Sequence, residues 1–125
     1  MTFYNYISAP TTTDWYMDPD VFVAHFKERW PHGQIRPVTD QCSKYFSHEW
    51  RLQISGHTIM GKFNKMQPGV VFCGCDLVDG AAFAAWFRSI IPIEQPLIFS
   101  DDGLDIDIEL TPNITESEII TQVLK

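Results

Sequence analysis

The stretch Gly69 to Pro92, GVVFCGCDLVDGAAFAAWFRSIIP, constrains the fold more than any other part of the chain. Its opening, Val70 to Cys75, is six residues without a charge, β-branched or aromatic at three of them, which suits a central strand covered on both faces. Asp76 to Gly80 interrupts with turn formers, and Asp79 stands where an N-cap would satisfy the free N–H groups of a first helical turn. Phe83, Trp86, Phe87, Ile90 and Ile91 then recur at helical spacing on one apolar face, and Pro92 ends the run. A strand and the helix that covers it are therefore fixed at the centre of the chain.

The flanking segments extend this unit. Asp18-Pro19 opens a helix as cap and first-turn proline, Phe22, Phe26 and Trp30 repeat every four residues, and Pro31-His32-Gly33 stops it. Gln34 to Val38 reads as a brief strand that Pro37 confines to an edge or to the strand's end. Thr39 to His48 reads as a loop. Beyond it Trp50, Leu52 and Ile54 alternate with Glu49, Arg51, Gln53 and Ser55, the period of a strand with one wet face. Turns at Ser55-Gly56-His57 and Pro68-Gly69 fold the next two strands back into an antiparallel meander. After the second helix, Leu97 to Ser100 and Leu104 to Leu110 flank Asp101-Asp102-Gly103, a loop of turn-forming residues. In the latter strand Leu104, Ile106, Ile108 and Leu110 face the core while Asp105, Asp107 and Glu109 form a carboxylate row. Thr115 and Glu118 form a capping box for a last helix, with Ile114 placed to staple onto Ile119. The fold class is α+β, a single domain over residues 1–125 with a mainly antiparallel sheet, in the order α-β-β-β-β-α-β-β-α. Residues 1–17, rich in aromatics, form an N-terminal arm expected to lie on the body or on a second subunit, with Phe3 to Ile7 a short edge strand.

At 125 residues and 45% apolar, the chain buries enough surface to fold without disulfides. Its three cysteines make no disulfide framework and suit a reducing, cytoplasmic setting. The segment MTFYNYISAP lacks a basic region followed by an apolar one, so no signal peptide is expected, and no window is apolar enough to span a membrane. Charge is uneven. Residues 1–65 carry seven Lys or Arg against six Asp or Glu, a balance of +1, and residues 66–125 carry two against ten, a balance of −8. Such a field repels phosphate backbones and anionic lipid and accelerates the approach of a cationic partner. No stretch interleaves aromatics with several cations, so neither nucleic acid nor membrane is expected as a partner.

The chemistry-bearing residues point away from catalysis. Cys73 and Cys75 would share one face of a strand, but one C-x-C with scattered histidines falls short of a zinc site, and buried thiols commonly pack as small hydrophobes. Cys42, His48 and an aspartate could be assembled into a nucleophilic set, yet no local motif orients them. Asp101, Asp102, Asp105, Asp107 and Glu109 do not match a calcium loop; projected from a strand they guard an exposed edge or keep the domain soluble, ahead of meeting a basic protein, with a bound metal last. The sequence thus predicts a non-enzymatic interaction module, of an inhibitor, antitoxin or immunity type, with no cofactor and no metal. Two alternatives stand beside it: a homo-oligomer paired through its arm or last helix, and a ligand-binding or enzymatic domain with a pocket near Cys42, His48 and Trp50.

Overall fold

The computed structural model describes residues 3–9, 17–54, 56–64, 69–74, 77–101 and 107–124. Along them run β1 (Phe3–Ser8), α1 (Pro19–Arg29), β2 (Gln34–Pro37), a 3-10 turn (Gln41–Lys44), β3 (Phe46–Ile54), β4 (His57–Asn64), β5 (Gly69–Gly74), α2 (Leu77–Ser89), β6 (Ile98–Asp101), β7 (Asp107–Glu109) and α3 (Glu116–Val123). The strands form one antiparallel sheet in the order β2-β3-β4-β5-β1-β6-β7. From α1 onward this is the succession expected of the α+β chain, preceded by β1.

The N-termini of α1 and α3 form as their residues dictate. Asp18 Oδ1 accepts from the Asp20 N–H at 2.8 Å and Pro19 begins α1. Thr115 and Glu118 close a reciprocal capping box on α3, and Ile114 and Ile119 are both buried beside it. Gly56, in the turn between β3 and β4, has φ +82°, the left-handed backbone that such a turn requires.

All three helices pack on one face of the sheet. Phe22 of α1 stacks on Phe63 of β4 at 4.5 Å, and Phe83 of α2 stacks on Trp50 of β3 at the same separation. Phe63, Val70, Ile7, Phe99 and Ile108 form a continuous row across β4, β5, β1, β6 and β7, every member buried. Phe72, Phe83, Phe26 and Trp50 surround one another at ring distances of 4.5 to 6.3 Å, so the densest part of the core lies between α1, α2 and β3 to β5. Burial of such rings supplies most of the cohesion of the domain.

Four expectations change. Thr39 to His48 is not all loop: Gln41–Lys44 form the 3-10 turn and β3 already begins at Phe46. Phe3 to Ile7 is not an edge strand: Tyr6 pairs with Val71 on one side and Ser100 on the other. The reason is topological, because β5 and β6 are both antiparallel to β1 and hence parallel to each other, a relation that the α2 crossover permits and that leaves room for one strand between them. Asp79 is not an N-cap, since α2 already begins at Leu77 and Asp79 lies buried within its first turn. Finally, β5 is central but covered on one face only. Val70 and Phe72 are buried under the helices, while Val71 and Cys73 are half-buried on the other side. Of the N-terminal arm, residues 1–2 and 10–16 lie outside the described residues, as do Cys75, Leu104 and Ile106. Among the described residues no helix is long and apolar enough to cross a membrane.

Candidate functional site: the open face of the sheet

Pleating sends alternate residues to opposite sides, so the strands that bury one row must present the next. Register aligns the presented side chains into rows that cross the whole sheet. In one of them Arg36 on β2 faces Glu49 on β3, which faces Lys62 on β4, which faces Val71 on β5. The same row continues through Tyr6 on β1 and Ser100 on β6 to Asp107 on β7. A neighbouring row runs from Gln34 through Arg51, Met60 and Cys73 to Tyr4. Tyr4, Tyr6 and Met60 are exposed although large and apolar in body. Together with half-buried Val71 and Cys73 they form an apolar band over β4, β5 and β1.

The band floors a shallow depression of about 860 Å³, lined on its cationic side by Arg36, Arg51 and Lys62. Gly61 and Phe72 also line it; pleating directs the Phe72 ring to the helices, so backbone forms that part of the floor. A side chain at Gly61 would collide with the Trp50 indole on the helix side. Arg36 Nε donates to Glu49 Oε1 at 2.6 Å, and Lys62 Nζ lies 5.4 Å from the centre of the Phe46 ring. Near the same edge a second depression, of about 410 Å³, is bordered by Arg29, His32 and Arg51. The charge on the face is polarised. Among the described residues, Arg36, Arg51 and Lys62 outweigh Glu49 at the β2 to β4 end, and Asp107 and Glu109 stand exposed on β7 at the other.

The carboxylate row is thus placed on the edge strand β7, with Ile108 between its members turned into the core. Asp101 ends β6 and is half-buried. Asp102 and Asp105 lie outside the described residues. Of Cys42, His48 and Trp50, Trp50 lines the larger depression; Cys42 sits on the 3-10 turn, and neither it nor His48 lines either of the two depressions described. The Trp50 indole is buried in the core, its Nε1 without a hydrogen-bond partner among the described residues. Burial lowers the pKa of His48 below its ordinary value, an effect that the nearby Asp20 carboxylate partly opposes.

Two polar ties were not anticipated from the sequence. His57 Nδ1 lies 2.7 Å from Asp79 Oδ2, joining the start of β4 to the first turn of α2; the Asp79 side chain is 2% exposed and that of His57 46%. A carboxylate there is favoured by the helix dipole. Arg88 is buried at the other end of α2, where Nη2 donates to the carbonyls of Pro92 and Ile93 and burial lowers its pKa. Both are long-range or loop-dependent contacts, and no spacing in the chain announces them. Among the described residues no group of three or more His, Cys, Asp or Glu is arranged to hold a metal ion. A face with aromatic bodies, a thioether and polarised charge offers apolar and ionic contacts side by side. Comparison with protein-family models, curated proteins and solved structures found no match to this chain, so the site rests on its own geometry.

Proposed function

We propose that this protein is a non-enzymatic interaction module, of the inhibitor, antitoxin or immunity type, that engages a basic protein partner through the acidic end of its sheet. The observation that carries the reading is the exposure of Asp107 and Glu109 on an edge strand, beside an open sheet face with exposed tyrosines. Carboxylates on a rigid strand are held in fixed register, so they present a cationic surface with a pattern as well as a charge. The net charge of −7 adds long-range attraction and a strong dependence on salt.

A fluorescent lysine decapeptide serves as the cationic probe, with binding followed by anisotropy across a salt series. Asp107→Lys and Glu109→Lys together are expected to weaken binding by about tenfold and to flatten its salt dependence, in line with the loss of two steering charges and their replacement by repulsion. Unchanged affinity and salt slope would remove this edge from the function.

A further inference from the structure

The rows of the open face read differently when the sheet is paired with itself. We infer that the partner of this face is a second copy of the chain, docked sheet on sheet about a two-fold axis that runs along β5. The inference rests on the interaction-module reading but not on its basic partner: a second copy carries the same net charge of −7, and the complementarity argued here is local to the face.

The argument is one of register. A two-fold axis parallel to the strands preserves position along them and reverses their order, so β2 of one copy lies over β7 of the other and β5 lies over β5. Applied to the row from Arg36 to Asp107, the operation sets Arg36 against Asp107 and Glu49 against Ser100. It also sets the Lys62 ammonium against the Tyr6 ring and Val71 against Val71. Each of these is a favourable pair: opposite charges, a carboxylate with a hydroxyl donor, a cation with an aromatic, and two aliphatic side chains. The neighbouring row sets Met60 against Tyr4 and Cys73 against Cys73, a thioether on an aromatic at the side and two thiols at the centre.

The alternative axis, across the strands, sets β2 against β2 and β7 against β7. It would place like charges together at both ends. Charge therefore selects one of the two symmetric stackings. Seven strands at about 4.8 Å spacing and about six residues of rise give a projected face on the order of 700 Å² per copy, near the ~800 Å² per partner of a standard interface. The apolar band of Tyr4, Tyr6, Met60, Val71 and Cys73 lies at the middle of that face, with the charges at its rim, the usual distribution for association between subunits.

The test is sedimentation velocity of the full chain over a concentration and salt series, with circular dichroism to confirm that each variant is folded. The wild type is expected to dimerise, with the salt series separating the local ion pairs from the mutual repulsion of two chains of net charge −7. Arg36→Asp and Asp107→Arg should each raise the dimer dissociation constant about 10- to 30-fold, because symmetry counts every altered pair twice. The double variant Arg36→Asp/Asp107→Arg should return to within about threefold of wild type, as no loss of fold could do. In a Cys42→Ser/Cys75→Ser background mild oxidation with copper phenanthroline should couple Cys73 to Cys73 as a disulfide, since side chains facing each other across sheets packed ~10 Å apart bring their thiols close together. A dimer unaffected by the single reversals, or a double variant no better than either, overturns the inference. A monomer that still binds the lysine decapeptide through Asp107 and Glu109 overturns self-pairing and leaves the broader reading standing, and a monomer that binds no cation overturns both.

Discussion

Gly61→Ala tests whether the floor of the open face and the aromatic core are parts of one packed unit. In β4, Gly61 is directly opposite Trp50, and an alanine Cβ would come within 2.7 Å of the indole Cε2 and of the Val71 carbonyl oxygen, nearer still to Cζ2. Ordinary van der Waals contact begins near 3.4 Å, so the ring must tilt into Phe26, Phe72 and Phe83 or the strands must separate. Overpacking of this kind costs about 1–3 kcal/mol, against a gain of roughly 0.5–1 kcal/mol from stiffening the unfolded chain. A net loss of about 1–2 kcal/mol remains. With a urea slope of about 1.5–2 kcal/mol/M for a domain of this size, the unfolding midpoint should fall by roughly 0.5–1 M. Tryptophan fluorescence during urea titration reads this directly. Trp50→Leu alone should cost about 2–4 kcal/mol by vacating core volume, and the double variant should cost less than the sum by about 1 kcal/mol, because the smaller side chain leaves space for the new methyl. A Gly61→Ala midpoint equal to or above that of the parent, or strict additivity in the double variant, would refute the reasoning.

Two further outcomes follow from the packing. Phe83→Ala empties the centre of the ring cluster and should lower stability by about 3–5 kcal/mol in urea unfolding, whereas Val78→Ala on the exposed side of the same helix should change it by less than about 0.5 kcal/mol. His48 is held below its ordinary pKa of 6.5 by burial, so the unfolded chain takes up its proton first and stability falls as pH drops from about 6.5 toward the lower folded value. His48→Gln should flatten that part of the stability profile between about pH 7 and 5, and an unchanged slope would show that His48 contributes nothing to it.

Much of the architecture is legible in the sequence because it is written in local periods. Trp50, Leu52 and Ile54 alternate, Phe83 to Ile91 recur at helical spacing, and Thr115 with Glu118 cap a helix whatever lies around them; these elements form where the residues place them, except that α2 ends at Ser89, two residues short of Ile91. What the sequence could not reveal was relative placement. An uncharged run such as Val70 to Cys75 reads alike whether one face or two are covered, and only the common side taken by three helices decides that Val71 and Cys73 stay partly open. The Asp107 and Glu109 row could be read from alternation with Ile108, but its position at the opposite edge from Arg36 depends on strand order. His57 and Asp79, 22 residues apart, meet through a turn and a helix start that no motif links.

The position of β1 carries a consequence for assembly. Its residues are bonded to partners about 60 to 100 positions further along the chain, and closing such loops costs on the order of 4 kcal/mol each in chain entropy before any pairing is gained. Until β1 arrives, the meander and the β6–β7 hairpin are separate leaflets, each with a raw inner margin of unpaired amides. Truncating residues 3–8 would therefore split the molecule down its middle instead of shortening it at a border, and the two exposed margins would recruit strands from other chains, so that insolubility and not a smaller folded protein is the natural result.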